Sequence, residues 1–292
     1  MLAISTIRSG LRPMGARVCG VVWNRSYSSV GAEVQRENLE GENEGITVLT
    51  LNRPKGMNSL SRKFLQEIKE HADAIRFDQS VRVVVLKSAL EKVFCAGADL
   101  KERATMSETE VSEFLYKLRG TFTEIENLPM PTIACINGAA LGGGLELALA
   151  CDLRVAGPRS KLGLPETRLA IIPGAGGTQR LPRTIGVPKA KELIFTGKIL
   201  TAEKAEQIGL ITEAVTEGDP LDKALELARN ILPAGPVALR MAKQAISQGS
   251  EVEQAVGMAI EQACYAQVIP TQDRTEGLTA FREKRKPVYI GK

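Results

Sequence analysis

Residues 140–152 read ALGGGLELALACD: three consecutive glycines run into an apolar, helix-favouring stretch that carries one carboxylate, Glu146. Burying an unpaired carboxylate costs on the order of several kcal/mol. Glycine inside a helix costs roughly another 0.5–1 kcal/mol relative to alanine. The stretch therefore costs local stability, and its reason has to lie outside the helix it begins.

The surroundings give the frame. "GITVLTLNRP", "VRVVVLKSA", "PTIACING" and "DLRVAG" are strand-like, and the segments "SETEVSEFLYKLRGTFTEIENL" and "GGLELALAC" between them have helical spacing. Strand and helix in alternation predict an α/β domain of crossover units. Beyond about Pro220 the strand signals stop, and "LDKALELARNIL", "PVALRMAKQAISQG" and "EVEQAVGMAIEQACYAQVI" all read as helices, so the chain is expected to end in a helical appendage. At 292 residues it is long enough for one large domain with such an appendage. The apolar run from Thr132 to Leu153 holds Asn137, Glu146 and several glycines, which argues against a membrane span.

A second glycine turn precedes a short helical piece in "FCAGADLKER". Gly97 there would let a ligand approach the Ala98 amide, and the Gly142–Gly144 turn would aim the Gly143 amide outward at the start of its helix. Two converging amides make an oxyanion hole. Glu146, three residues after Gly143, shares a helix face with that amide, and "SKLGLPETRLAIIPGAGGTQRLPR" brings a second carboxylate, Glu166, in an equally apolar setting. Two carboxylates beside such a hole can move protons to and from a carbon next to a carbonyl. Each feature alone has a plainer reading, a tight turn or a surface glutamate in a first helical turn. Their order along the chain gives them weight.

Other chemistries are poorly supplied. The single histidine, His71, sits beside the apolar face of "FLQEIKEHADAI" and reads as a surface residue, and no G-x-S-x-G, HExxH, G-x-x-x-x-G-K-[ST] or G-x-G-x-x-G motif occurs. Five cysteines without a CxxC suggest reduced thiols and no zinc site.

"FCAGADLKE", "NGAALGGGLELALACDLRVA", "GLPETRLAIIPGAGGTQRLPR" and "AFREKRKP" resemble the enoyl-CoA hydratase/isomerase (crotonase) superfamily from Gly45 to Lys292. Within it, "ADLKERATMSETEV", "AKELIFTG" and "IPTQDRTEGLTAFREKR" resemble the mitochondrial methylglutaconyl-CoA hydratases, a branch also described as AU-rich-element RNA-binding proteins. The resemblance implies an α/β fold, a crotonase-like spiral of repeated ββα units over 31–225 with a C-terminal helical trimerisation region over 226–292. It implies a homotrimer, or a homohexamer of paired trimers, acting on an acyl-CoA thioester with no metal and no cofactor beyond the coenzyme A of the substrate. Ala98 and Gly143 would form the oxyanion hole, Glu146 would orient and activate water, and Glu166 would deliver the α-proton. Isomerases of the family generally lack one of the two carboxylates, so both together favour hydration, with 3-methylglutaconyl-CoA of leucine degradation as the expected substrate. Lys55, Ala96, Asp99, Leu100 and Lys101 would surround the CoA moiety, with Phe281 and Lys284 reaching over from a neighbouring subunit.

Alternatives stay open at this point. A hydratase for short straight-chain or other branched enoyl-CoAs fits the same residues, and Arg103 or Arg119 could meet the free carboxylate of a methylglutaconyl group. An AU-rich RNA-binding role would need a comb of cations after "NSLS", where the face reads Arg62, Gln66 and Glu70 with Glu67 nearby, and Lys63 and Lys69 do not rebuild a ridge. A homologue without catalysis fits poorly, since both glutamates and both glycine turns are intact.

Residues 1–30 differ in kind, with Arg8, Arg12, Arg17 and Arg25, several serines and no acid before Glu33. This is the composition of a mitochondrial transit peptide, expected to be cleaved around Tyr27 to Ser29 and to send the protein to the matrix. Those four arginines account for the whole excess of 38 Lys+Arg over 34 Asp+Glu, so the remaining chain is near neutral. Fused to a fluorescent reporter, the full chain is expected to enter mitochondria, and Arg8, Arg12 and Arg17 changed together to Glu are expected to leave it cytosolic. Unchanged localisation by microscopy would remove the leader.

Overall fold

The computed structural model describes residues 31–292; the expected leader lies outside the described residues. The chain opens with β1 (Val34–Asn38) and β2 (Ile46–Leu51), an antiparallel pair, followed by α1 (Arg62–Arg76). The next turn is β3 (Val83–Ser88), β4 (Val93–Cys95), α2 (Leu100–Arg103) and α3 (Glu108–Glu126). A third is β5 (Thr132–Ile136), β6 (Ala139–Leu141) and α4 (Gly143–Leu149). The fourth is β7 (Leu153–Ala156), β8 (Lys161–Gly163), a 3-10 turn at Glu166–Leu169, then α5 (Gly177–Ile185), α6 (Val187–Thr196) and α7 (Ala202–Gln207). After β9 (Glu213–Ala214) come α8 (Pro220–Ile231), α9 (Pro236–Gly249), α10 (Gln254–Val268) and α11 (Gln272–Glu283).

The first turn places both of its strands in one sheet, and each of the next three sends its first strand to that sheet and its second to another. The large sheet runs β1-β2-β3-β5-β7-β9, parallel apart from β1, and the small sheet runs β4-β6-β8, all parallel. This is the expected spiral of ββα units. The first turn joins the small sheet through one parallel bridge, Leu60 with Ala98.

Period-two alternation decides which side chains meet. Val84, Leu86, Ala134 and Ile136 face a core shared with the small sheet, α1, α3 and α4, while Val83, Val85, Ile133 and Cys135 face the opposite way. The second face is covered by α8 through Leu221, Ala224, Leu225 and Ala228, one stripe at helical spacing. A parallel sheet needs cover on both faces. Helix α8 is therefore a layer of the core, and it crosses the expected 225/226 boundary.

The helices beyond it are differently placed. α9 and α10 pack as a hairpin whose backbones approach at Gly249 and Gly257, where a Cβ on Gly257 would lie 3.1 Å from the Gly249 carbonyl oxygen. Lys243 ties α9 to the core, with Nζ donating to Asp152 at 2.7 Å and to the Met130 carbonyl at 3.1 Å. Of α10 only Cys264 is buried, and Val256, Met258 and Tyr265 are half or more exposed. No described helix is long and apolar enough to cross a membrane. Cys95, Cys135, Cys151 and Cys264 are buried and unbridged, and burial pushes the first three thiols up to about 12. His71 is half-buried, contrary to the surface reading, because α1 packs beside β1 and brings its Nε2 to 3.3 Å from the Val34 carbonyl.

The close approach of α4 to β4 rests on Gly144, where a Cβ would stand 2.0 Å from the Cys95 carbonyl oxygen. Gly144→Ala is expected to destabilise the protein by about 3 kcal/mol or more. Urea denaturation checks this, and an unchanged midpoint would deny the contact.

Candidate active site

The small sheet gathers the chemistry. Its three strands are parallel neighbours, so the segments leaving their C-terminal ends lie side by side: Gly97-Ala98 after β4, Gly142-Gly143 after β6 and Glu166 after β8. The Gly142 amide donates to the Gly163 carbonyl at 2.9 Å, linking two of these exits directly. Gly97 has φ +92°, and a Cβ there would come within 2.8 Å of the Leu141 carbonyl oxygen and 3.2 Å of the Gly143 nitrogen. A Cβ on Gly143 would stand 3.8 Å from the Ala98 nitrogen. The two amides thus occupy one spot, as the glycines suggested, and among the described residues neither donates a hydrogen bond to the protein. A pair of free, adjacent N–H groups can hold an oxygen that gains negative charge.

Glu146 is only 2% exposed, and its Oε1 accepts from two backbone amides, Ala175 at 2.8 Å and Gly177 at 2.7 Å. Burial raises its pKa, and those two amides together with the nearby charge of Arg180 oppose the rise. Glu166 lies close by, its Oε1 3.1 Å from where a Cβ on Gly142 would be. Its Oε2 is buried without a hydrogen-bond partner among the described residues. Burial first, and the charge of Glu146 in addition, push the Glu166 carboxyl up to about 7. The two groups share a site but not an environment: Glu146 accepts two backbone donors that oppose the effect of burial, and Glu166 has an oxygen without a donor among the described residues.

The segment "NRPKGMNSL" does more inside the protein than its expected contact with coenzyme A required. Asn58 is fully buried and its Nδ2 donates to Ser88 Oγ at 2.8 Å and to the Phe94 carbonyl at 2.9 Å. Arg53 reaches Ser59 Oγ and Asp99 Oδ2, both at 2.7 Å. Asp99 also caps α2 by accepting from the Lys101 and Glu102 amides. Burial acts against its charge, yet the hydrogen bonds from Arg53, Glu102 and Ser59 hold its carboxyl below the ordinary value. The Asp99 side chain is therefore engaged within the protein, where it braces the turn that carries Ala98. Ala96 is half-buried, its amide donating to the Met57 carbonyl at 3.2 Å, whereas Lys55, Leu100 and Lys101 are exposed around this edge.

Phe281, 87% exposed, and Lys284 lie at the end of α11, and among the described residues no hydrogen bond or ion pair joins them to these groups. Arg103 sits over the Phe114 ring at 5.7 Å, and Arg119 donates to the Gly174 carbonyl at 3.2 Å. Two cavities of about 900 and 860 Å³ lie elsewhere, one bounded by Arg82, Arg240 and Tyr289, the other between α1 and α3. Sequence reasoning missed the Ala175 and Gly177 donors. The Gly-rich "PGAGG" was their signal, but nothing local connects it to Glu146.

Because the folded chain holds the Glu166 proton up to a pH of about 7 and an unfolded chain releases it near 4.5, folding takes up a proton between these values. Stability from this group is thus lost as pH rises through that window. The full shift converts to roughly 3 kcal/mol, discounted to about 1–2 kcal/mol because the carboxyl is only partly buried. Glu166→Gln is expected to be more stable than wild type by that amount at pH 8, with the gap narrowing at pH 5. Thermal denaturation at both pH values checks it, and a gap independent of pH would contradict the raised carboxyl.

Residues 41–292 match the family model for enoyl-CoA hydratase/isomerase. The mitochondrial methylglutaconyl-CoA hydratase of Homo sapiens is 54% identical over 274 residues, covering 91% of this chain and 81% of that protein. The mitochondrial enoyl-CoA hydratase domain-containing protein 2 of Mus musculus is also 54% identical, over 264 residues and 89% of each chain. The crystal structure of an enoyl-CoA hydratase from Bacillus anthracis superposes with a TM-score of 0.86 at 48% identity, over 89% of this chain and all of that one. The fold, the two glycine turns with their paired amides, and these likenesses agree: the chain belongs to the enoyl-CoA hydratase/isomerase family, on its hydro-lyase side.

Proposed function

We propose that this protein adds water across the α,β double bond of an enoyl-CoA thioester, with Ala98, Gly143, Glu146 and Glu166 as its working groups. The observation that carries this reading is the contrast between two neighbouring carboxylates beside two unpartnered amides. Glu146 is held by the Ala175 and Gly177 amides, and Glu166, with an orphaned oxygen, has its carboxyl near 7. The thioester oxygen sits between the Ala98 and Gly143 amides. Ionised Glu146 takes a proton from water as the water oxygen bonds to the β-carbon. The π electrons move to the thioester as an enolate, and Glu166 hands its proton to the α-carbon. One proton has then passed into Glu146 and one out of Glu166. Amides aimed at the developing oxyanion contribute about 3–4 kcal/mol each in comparable sites.

The substrate favoured is 3-methylglutaconyl-CoA, on the strength of relatives that bear that name. Relatives called enoyl-CoA hydratase domain-containing protein 2 are about as similar, which keeps other short or branched enoyl-CoAs in play. Arg119 suits the distal carboxylate of a methylglutaconyl group. It has no acid partner among the described residues and donates to the turn whose amides hold Glu146. Coenzyme A enters as part of the substrate, against Lys55, Ala96, Asp99, Leu100 and Lys101.

The working assembly in this reading is a trimer or a pair of trimers built through 236–292. Its support is the exposed apolar surface of α10 and α11, including Val256, Met258, Tyr265 and Leu278, with Phe281 and Lys284 lent to the neighbour's CoA site. The mitochondrial matrix is the compartment, in keeping with the arginine-bearing leader and with relatives named mitochondrial. RNA binding is disfavoured. On α1, Arg62 pairs with Glu110, Lys63 with Glu67 and Lys69 with Asp73, so the helix presents no free cationic ridge for phosphates.

Glu146→Gln and Glu166→Gln are each expected to fold normally and to lose at least about a hundredfold in turnover. A panel containing 3-methylglutaconyl-CoA and crotonyl-CoA reads both chemistry and specificity. Wild-type turnover in either variant would sink the assignment, and a preference for crotonyl-CoA would reassign the substrate.

A further inference from the structure

Among the described residues the turn at 174–177 supplies the hydrogen bonds that Glu146 accepts, and the turn is itself held by Arg180, whose charge also favours the carboxylate. Arg180 of α5 donates from Nη1 to the Ala175 carbonyl at 2.9 Å and from Nη2 to Glu126 Oε2 of α3 at 2.7 Å. The Ala175 carbonyl belongs to the peptide between the two donors, since Ala175 N–H lies on one side of it and Gly177 N–H on the other. Gly176, with φ +109°, wraps so closely that a Cβ would lie 2.2 Å from Arg180 Nη1. The guanidinium is thus the post around which the clamp for Glu146 is bent. Its Nε is buried and has no acceptor among the described residues, and Glu126 supplies its sole carboxylate partner there.

We infer that Arg180, tethered by Glu126, is a positioning residue that fixes both the aim and the ionisation of Glu146 through the 174–177 turn. This rests on the reading of Glu146 as the water-activating base. Two physical effects act together. The fork keeps the Ala175 and Gly177 amides converged on Oε1, and a permanent cation behind the turn favours the charged carboxylate. The neighbours of α4 offer no substitute. β6 carries no titratable group, and Cys95 of β4 is a neutral buried thiol. Arg183 of α5 is turned to Glu251, and Glu166 is acidic and opposes the charge of Glu146.

The test is the pH dependence of crotonyl-CoA hydration, with folding followed by circular dichroism. Arg180→Gln is expected to move the acidic limb of kcat/KM upward by about half a pH unit or more. It should lower kcat roughly tenfold to a hundredfold, as misaligned catalytic groups do, with KM changed less than about threefold. Arg180→Lys keeps the cation without the fork, so its limb is expected to stay at the wild-type position while kcat recovers only in part. Glu126→Gln keeps the cation and loses the tether, and its limb is expected at or below the wild-type pH.

If Arg180→Gln and Arg180→Lys lose the same activity with no movement of the limb, Arg180 is a structural residue and the inference is overturned. Should Arg180→Gln not fold, a Glu126→Gln limb above wild type overturns it instead. Glu146→Gln run alongside separates the two levels. Normal turnover in that variant removes the reading of Glu146 itself, whereas its loss together with an unmoved Arg180→Gln limb removes only the role of Arg180.

Discussion

The two hydrogen bonds from the Ala175 and Gly177 amides to Glu146 are the interaction on which the site depends. A carboxylate that is 2% exposed would otherwise give up its charge, since a buried anion without donors costs more than protonation does. The donors come from a turn about thirty residues downstream of Glu146, after β8 and a 3-10 turn have carried the chain across the small sheet. Everything between those two points must be built correctly before the charge is affordable. That ties the chemistry of one residue to the completion of a full turn of the spiral.

The small sheet explains why so few residues suffice. In parallel strands all C-terminal ends face one way, and groups placed just beyond them converge. Here each of three successive turns contributes one component: an amide after β4, an amide after β6, a carboxylate after β8. The glycines at 97 and 142–144 remove the side chains that would keep those exits apart. The buried polar cluster of Arg53, Asn58, Ser59 and Asp99 braces the first exit against the rest of the sheet. The helical C-terminal segment has a different character. The two core clusters end with α8, and the large apolar side chains left outside on α10 and α11 have no cover among the described residues. Large exposed apolar patches of this kind mark surfaces made for association.

Much of the site was legible along the chain because its signals break local rules. Three glycines before a helix, a glutamate inside an apolar helix and a second glutamate in an apolar turn are each uneconomical unless something is bound there. Alternating strands and helices gave the α/β class in the same way, from periodicity. What stayed hidden was partnership at a distance. Asp99 reads as one polar residue in a ligand-facing motif, and only packing reveals that its carboxylate caps α2 and holds Arg53. Similarly, α8 has the spacing of any amphipathic helix. Its place in the core follows from the large sheet needing cover on both faces, which no window of sequence contains.

The sequence by itself determined the kinds of group available: two carboxylates in apolar settings, two glycine-freed amides, one histidine set apart from them, and no metal-binding motif. These are local properties of backbone freedom, side-chain chemistry and hydrophobic period. Only the tertiary structure decided how the two carboxylates differ. Glu146 receives two amides from the 174–177 turn, while Glu166 Oε2 receives none among the described residues and its carboxyl rises to about 7. The same residue type acquires a different readiness to hold a proton according to how many donors the fold turns toward it. The number of donors is set by contacts between segments far apart in the chain.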